Sequence, residues 1–444
     1  GPVQSNYGSE YIPKTAFFKK RDLSKTPELP FESGFFEYSC EYFQEPQMSK
    51  NEIDEPGSKE YVKRLWRRNR NESIIQETQP QKEMALRGEW NKDIQILNNI
   101  TQPKCIKFTQ FEKILVASDE KDNMTVWDWG NGQIVKKFSN GNPFGTKITD
   151  IKFLNEDDSP LLLTGSSDGV IKIYKNFHNY ENSDSNDKDE DGFNEEKRVE
   201  LVTGWRALTD LLLTSKSTGL VSEWQQSRGS LLVSGDVKII RIWDAPRELC
   251  LLDIPARSSS SITSLTSDQV AGDIFIAGFD DGSIRVYDTR LDSRESMVMT
   301  WKPSKQHPGL QQSNYTGLGS IRNVHMQRGG FRELISGSSD GIVNIWDLRL
   351  QDPVLTYATQ NKSMRTMDVH EHAPILMTGL KTVDIWSTAG ECLTTLNNPN
   401  GSSGRSLNYL SSTTFHPHRM MLATNYNQNS HINLYTCNDT VVEY

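Results

Sequence analysis

Seven short apolar segments of this chain end on Trp or Tyr, and a polar residue follows each aromatic. The seven aromatic residues are Trp127, Tyr174, Trp243, Tyr287, Trp346, Trp386 and Tyr435. Successive members lie 40 to 69 residues apart. A period of about 40 to 50 residues with a Trp-Asp ending is typical of WD40 propeller blades. The sequence therefore predicts an all-β fold, a seven-bladed WD40 β-propeller with an extended, partly helical N-terminal arm.

Turns inside the repeat agree with this interpretation. Three blades place an Asp-Gly pair ahead of the aromatic, at Asp168-Gly169, Asp281-Gly282 and Asp340-Gly341, and in each blade the aromatic follows the Asp by six residues. Asp-Gly suits a tight hairpin because Gly tolerates positive φ. In blade 3 two segments could form the first strand, residues 210–214 or residues 220–224.

The last blade lacks room for a fourth strand, because only nine residues follow Tyr435. We expect residues 93–97, ahead of blade 1, to supply it. This pairing would close the ring and remove an open sheet edge, which is a template for aggregation.

Two domains of different character follow from the repeat. Residues 1–90 form an arm, and residues 91–438 form the propeller. Two polar insertions interrupt the ring: an acidic stretch at about 178–198, predicted to be disordered, and a Pro- and Gly-containing loop at about 302–320. A hydrophobic fraction of 35% and a mean hydropathy of -0.61 fit a chain that carries such polar segments.

The arm contains two segments with a possible binding role. Phe35, Phe36, Tyr38, Tyr42 and Phe43 place five large rings within nine residues. Burying each ring is worth about 2 kcal/mol, so we expect them to dock, either on the propeller or on a partner.

A helix is predicted from about Ser58, its N-cap, to Glu77. The helix carries five cations: Lys63, Arg64, Arg67, Arg68 and Arg70. They could bind anionic lipid, an acidic partner or the acidic insertion of the same chain. A solvated helix face is the simpler interpretation.

Charge and cysteine content restrict the partners. A net charge of -9 gives no basis for nucleic-acid binding, which needs a concentrated basic surface. The five cysteines form no C-x-x-C pair, which favours a reducing compartment over a disulfide framework or a zinc site. The chain has no run of 18 apolar residues, so any membrane recruitment is expected to be indirect.

No catalytic constellation is evident. The chain contains no Walker A, G-x-S-x-G, H-E-x-x-H or G-x-G-x-x-G motif. The pairs His370/His372 and His416/His418 have a metal-like spacing, but His416-Pro417 falls where a blade turns between its first and second strands, so a turn role is favoured. We therefore predict no enzyme activity, no cofactor and no metal. A propeller hydrolase would need a cluster of ionisable residues in the central channel, which the sequence does not reveal. The seven blade aromatics are assigned a packing role between sheets.

Arg290 and Arg349 support an alternative function. They close the consecutive endings Tyr287-Asp288-Thr289-Arg290 and Trp346-Asp347-Leu348-Arg349. Such endings resemble the motif by which some propellers dock onto the adaptor of cullin-type ubiquitin ligases, where the Arg is a multidentate donor. The alternative function is that of a substrate receptor for such a ligase.

Longer stretches resemble one family. The segment Phe35–Met48 is similar to the linker before the C-terminal propeller of the Raptor family, the scaffold subunit of target of rapamycin (TOR) complex 1. The segments Trp127–Trp129, Gly165–Gly169, Leu201–Trp205 and Ala277–Asp288 also resemble that family. The resemblance covers the arm motif through Thr436, and the Asn- and Asp-rich insertions suggest a fungal member.

The resemblance implies a larger parent chain with a caspase-like domain and an armadillo solenoid. It implies a non-catalytic interaction scaffold, a regulatory part of the TOR kinase complex in nutrient-dependent growth signalling. The implied partners are TOR complex subunits, their regulators or substrates, and the solenoid of the parent chain. The implied location is the cytoplasm and the periphery of the vacuolar or lysosomal membrane.

Overall fold

A computed structural model describes residues 57–90, 94–156, 159–178, 198–209, 219–226, 228–269, 272–302, 319–326, 334–399 and 408–437. Within these ranges the chain forms seven sheets, each of four antiparallel strands. The predicted seven-bladed propeller is confirmed. Two helices precede it, α1 (Lys59–Glu77) and α2 (Gln79–Leu86). No helix in the described part of the chain is long and apolar enough to cross a membrane.

The blades are numbered in chain order. Blade 1 contains β2 (Pro103–Phe108), β3 (Ile114–Asp119), β4 (Asn123–Asp128) and β5 (Gln133–Ser139). Blade 2 contains β6 (Ile148–Leu154), β7 (Leu161–Ser166), β8 (Val170–Lys175) and β9 (Glu200–Arg206). Blade 3 contains β10 (Val221–Gln225), β11 (Ser230–Ser234), β12 (Ile239–Asp244) and β13 (Leu249–Pro255). Blade 4 contains β14 (Ile262–Ser267), β15 (Ile274–Phe279), β16 (Ile284–Asp288) and β17 (Met297–Trp301).

The remaining blades follow the same order. Blade 5 contains β18 (Ile321–Met326), β19 (Leu334–Ser338), β20 (Ile342–Trp346) and β21 (Leu355–Ala358). Blade 6 contains β22 (Thr366–Val369), β23 (Ile375–Gly379), β24 (Val383–Ser387) and β25 (Cys392–Leu396). Blade 7 contains β26 (Leu410–Phe415), β27 (Met421–Tyr426), β28 (His431–Thr436) and β1 (Gln95–Asn98).

The second strand of each blade is the most deeply buried. Strands β3, β7, β11, β19, β23 and β27 are buried at every residue, and β15 is buried at every residue but the first. These strands are packed on both faces by the adjacent blades, which explains why they read as continuous apolar or small-residue runs instead of alternating ones. The fourth strands, such as β5, are largely half-buried or exposed.

Each blade aromatic contacts the preceding blade. Four of them pair with a ring on the fourth strand of that blade: Phe138 with Tyr174, Trp205 with Trp243, Trp301 with Trp346 and Tyr357 with Trp386, at centroid distances of 5.0, 5.9, 4.6 and 5.6 Å. The other three donate a hydrogen bond to a residue just after that fourth strand: Trp127 to Asn99, Tyr287 to Ala256 and Tyr435 to Asn397, at 2.8, 2.8 and 3.3 Å. All seven aromatics are at most 5% exposed.

A β-bulge accompanies the aromatic in five blades. The pairing of the third and fourth strands shifts register immediately before Trp127, Tyr174, Trp243, Tyr287 and Trp386. Bulges change the direction of a side chain and increase local twist. The shift therefore coincides with the residue that must reach the neighbouring blade.

Ring closure occurs between the two ends of the repeat region. Strand β1 pairs antiparallel with β28, with Leu97 opposite Ile432. The predicted closure is confirmed, with the strand at 95–98; Asp93 lies outside the described residues. Leu97 is 2% exposed and packs with Trp127 and Leu434, so β1 joins blades 7 and 1.

The three predicted Asp-Gly turns adopt the required backbone. Gly169, Gly282 and Gly341 have φ of 84°, 83° and 82°. In all three turns the Asp carboxylate also accepts from a serine hydroxyl, that of Ser166, Ser283 or Ser338. A residue with a Cβ would be strained at each glycine.

Other sequence expectations had mixed outcomes. The first strand of blade 3 is β10 (Val221–Gln225), as predicted by the alternative at residues 220–224. The other alternative, residues 210–214, lies outside the described residues. The helix starting after Ser58 is confirmed, since Ser58 Oγ accepts from Tyr61 N at 3.2 Å. Helix α2 was not expected. Most of the two predicted insertions, at residues 179–197 and 303–318, lies outside the described residues.

Closure can be tested with two neighbouring residues on β1. We expect Leu97→Ala to lower the free energy of unfolding by about 2 to 5 kcal/mol, because it leaves a cavity between blades 7 and 1. Ile96→Ala is the matched control, since Ile96 is 42% exposed on the other face of the same strand. Urea unfolding of both variants measures the difference, and equal losses would contradict the role given to β1.

Candidate functional site

The ring has two faces, defined by its connections. Connections between blades and turns between second and third strands form what we call the inter-blade face. Turns between first and second strands, and between third and fourth strands, form the opposite side, which we call the helix face because α1 and α2 lie there. In propellers, binding specificity resides in such loops, since the strands are committed to packing.

Both helices are held on the helix face by specific contacts. Arg70 Nη1 of α1 lies 2.7 Å from Glu112 Oε1 of the β2–β3 turn, and the Arg70 guanidinium lies 5.7 Å from the ring centroid of Phe111. Ala85 of α2 is fully buried with Met420 and other core residues of blades 6 and 7. The helices therefore cover blades 6, 7 and 1.

The basic helix is only partly a solvated surface. Arg68 is exposed, whereas Arg70 is half-buried and paired with Glu112. The side chains of Lys63, Arg64 and Arg67 lie outside the described residues. On the same helix Trp66 is 61% exposed. No contact of α1 with the acidic insertion can be assigned, because residues 179–197 lie outside the described residues.

The four paired histidines form turns. His370 Nδ1 accepts from His372 N at 3.1 Å, and His416 Nδ1 accepts from His418 N at 3.0 Å. The rings of His372 and His418 stack with centroids 4.5 Å apart, and His418 Nε2 lies 3.1 Å from Gln110 Oε1. In the described part of the chain no group of His, Cys, Asp or Glu is arranged to hold a metal ion. The pairs connect blades 6, 7 and 1, in agreement with the turn role.

Burial favours the neutral imidazole at His370, His416 and His418 by lowering the pKa of each. It lowers the pKa of His370 to about 4 and that of His418 to about 3. The pKa of His416 is also lowered, first by burial and then by the nearby Arg419. Lys82 of α2 adds positive charge, and Glu371 opposes the effect at His370 and His418.

The central channel contains the ionisable cluster that the sequence did not reveal. Its helix-face end is a cavity of about 310 Å³, lined by the first strands of all seven blades. Equivalent positions near the ends of these strands point into it: Lys107, Lys152, Glu223, Thr266, His325, Asp368 and Thr414. An alignment of the seven first strands would have found them, because each lies one or two residues before the end of its strand.

Two of these groups, Lys152 and Asp368, have close partners within the protein. Lys152 Nζ lies 3.2 Å from Asp150 Oδ1; although burial opposes its charge, Asp150 and Glu223 hold its pKa above the ordinary value. Asp368 accepts from Phe415 N at 2.7 Å, while burial raises its pKa. These contacts compensate buried charge and hydrogen-bonding groups, which is a structural role. They do not place an acid and a base on either side of a reacting group, as general acid–base catalysis would require.

Arg290 and Arg349 lie at turns on the helix face and bind their own blades. Arg290 Nη2 is 2.6 Å from Asp288 Oδ2, and Arg349 Nη2 is 2.5 Å from Asp347 Oδ2. Both arginines are exposed, with 64% and 86% of the side-chain surface accessible. The structure therefore does not bring them together with a channel or groove.

The aromatic segment of the arm lies outside the described residues. This applies to all five of its members: Phe35, Phe36, Tyr38, Tyr42 and Phe43. Its docking, on the propeller or on a partner, stays a prediction.

Comparisons with known proteins agree with this architecture. Residues 132–175 match the model of the WD domain, G-beta repeat, and residues 252–435 match that of the Nucleolar protein 10-like N-terminal domain. Target of rapamycin complex 1 subunit KOG1 of Saccharomyces cerevisiae is 50% identical over 94% of this chain. The corresponding subunit mip1 of Schizosaccharomyces pombe is 41% identical over 98% of it. The crystal structure of Chaetomium thermophilum Raptor is 42% identical over 95% of this chain, with a TM-score of 0.70.

The chain belongs to the Raptor family. It spans 27% and 31% of the two yeast relatives and 34% of the solved Raptor chain. The expected resemblance and the fungal character of the relatives are thus confirmed. None of these Raptor-family proteins is described as a ubiquitin-ligase receptor, and nothing in the geometry of Arg290 and Arg349 supports that alternative.

The buried histidines predict a pH dependence. An unfolded histidine protonates near its ordinary pKa of 6.5, whereas folded His370, His416 and His418 resist protonation. The unfolded state therefore binds more protons as pH falls below about 6.5, and each histidine lowers stability by about 1.4 kcal/mol per pH unit until its folded pKa is reached. Chemical unfolding at neutral and mildly acidic pH measures this loss.

His416→Asn provides the control for that experiment. The Asn Oδ1 can accept from the same backbone amides but cannot titrate. We expect similar stability at neutral pH and a shallower loss on acidification than in the unmodified chain. An unchanged slope would rule out a contribution from His416.

Proposed function

We propose that this chain is the propeller module of a TOR complex 1 scaffold, a non-catalytic regulatory part of a kinase complex in nutrient-dependent growth signalling. One observation carries the proposal: two curated relatives described as TOR complex 1 subunits match 94% and 98% of the chain at 50% and 41% identity. The geometry is compatible with it, since the strands are committed to packing and the turns remain as binding surfaces.

The proposed partners are subunits of the TOR kinase complex and their regulators or substrates. The parental armadillo solenoid is proposed to meet the ring on the helix face, where α1 and α2 join the arm to blades 6, 7 and 1. Contacts such as Arg70 with Glu112 would then fix the angle between propeller and solenoid. We place the complex in the cytoplasm and at the periphery of the vacuolar or lysosomal membrane, with recruitment through other proteins.

The proposal is tested in cells with the full-length parent. We compare the intact parent with a version that lacks residues 94–437, and quantify co-purified proteins. We expect TOR kinase with both, because the Raptor resemblance implies that the kinase-contacting surfaces lie mostly in parts of the parent outside this chain. We expect the deletion to lose a subset of regulators or substrates.

Removal of residues 179–197 alone is the matched control. It changes one insertion and leaves every described strand in place, so it should retain more of those proteins than the full deletion. Absence of TOR kinase from the intact parent would contradict the proposed complex. An identical set of proteins with and without the propeller would contradict its role as a platform.

A further inference from the structure

Two cations lie over one tyrosine on the inter-blade face, and a third interacts with one of them. The Arg365 guanidinium lies 5.4 Å from the ring centroid of Tyr409, and the Lys381 ammonium lies 5.7 Å from it. Arg322, at the start of β18, is close enough to Arg365 for the two charges to interact. We call this group the Tyr409 cluster; it consists of Arg322, Arg365, Lys381 and Tyr409. Its members come from blades 5, 6 and 7.

The positive charge of the Tyr409 cluster is poorly compensated. In the ranges that the structure describes, none of its three cations lies within salt-bridge distance of a carboxylate. Partial removal from water, and then the charge of Arg365, lowers the pKa of Arg322, and the charge of Asp280 opposes this. All three side chains are exposed, so a charged partner can reach them.

Neighbouring connections cannot supply the missing negative charge. In the sequence, residues 303–318 lie between blades 4 and 5 and residues 400–407 between blades 6 and 7, and neither segment contains Asp or Glu. A chain with a net charge of -9 thus concentrates cations at one place on its surface. A bound anion is the simplest partner that would stabilise the arrangement.

Phosphate fits the residue types present. A guanidinium can bind two phosphate oxygens at once, and an ammonium adds a compact positive charge. Clusters of this kind recognise phosphorylated segments of other proteins. The described parts of the connections between blades 5 and 6 and between blades 6 and 7, which surround the cluster, carry no exposed large apolar side chain; Ile100, 66% exposed, lies farther along this face in the connection from blade 7 to blade 1. Insertion into a lipid surface would use such side chains, so the local surface favours a protein segment over a membrane.

We propose that the Tyr409 cluster binds a phosphorylated serine or threonine in an extended segment of a partner protein. The phosphate lies between Arg365 and Lys381, and Arg322 completes its charge compensation. The site is separate from the helix face, so a partner bound there leaves α1 and α2 in place.

The test uses the 444-residue chain and two immobilised peptide libraries. One library has a fixed phosphothreonine among random positions, and the other has threonine in its place. We expect retention on the phosphorylated library only, and retention that falls with salt. A labelled peptide selected from that library then gives affinities by fluorescence anisotropy.

Variants locate the site. Arg365→Ala and Lys381→Ala should each weaken binding about tenfold, the usual effect of losing one charge-assisted contact. Arg349→Ala is the matched control, because it removes an exposed cation from the helix face, and it should bind as the unmodified chain does. Tyr409→Phe keeps the ring and should retain binding.

Stability separates a binding role from a structural one. Lys381→Ala removes one member of a like-charge group, so its thermal unfolding midpoint should be unchanged or raised. If Lys381 had a structural role, the substitution would lower that midpoint. Equal binding to both libraries, or undiminished binding by Arg365→Ala and Lys381→Ala, would overturn the proposal. So would binding confined to phosphatidylcholine vesicles that contain phosphatidylinositol phosphates, which would identify a membrane site instead.

Discussion

The contact between each blade and the one before it governs this fold. Each four-stranded blade of this ring has two hydrophobic faces, and it is stable only when both faces pack against adjacent blades. The seven third-strand aromatics make that contact, by ring packing as in Trp301 with Trp346 or by a hydrogen bond as in Trp127 with Asn99. Because Asn99 directly follows β1, the same type of contact also joins the last blade to the first. The ring is therefore closed by the interaction that builds it.

A closed ring fixes the positions of its connections. The helix face carries the two helices, the histidine turns and the charged end of the channel. The inter-blade face carries the Tyr409 cluster. Because the intervening strands are buried, the two faces can bind different partners without competing for the same residues. This separation suits a scaffold, whose task is to hold several proteins in a defined arrangement.

The sequence predicted the features that recur locally. The aromatic endings and the Asp-Gly turns depend on residues a few positions apart, so their spacing was enough to predict the blades. Closure by a strand before blade 1 followed from the short chain after Tyr435. Features that depend on proximity across blades were missed. Lys107 and Asp368 are far apart in the chain and meet only in the channel, and Arg365 meets Tyr409 only after blades 6 and 7 have packed. The β-bulges also escaped, because register shifts leave no clear mark in one sequence.

Hydrogen exchange of a Trp127→Phe variant tests the central claim most directly. Phe keeps an aromatic ring but cannot donate the hydrogen bond to Asn99. If blade-to-blade contacts hold the ring closed, exchange should accelerate in β1 and β28 of blade 7 as well as in β4 of blade 1. Acceleration confined to blade 1 would show that each blade is stable by itself, and would contradict the account.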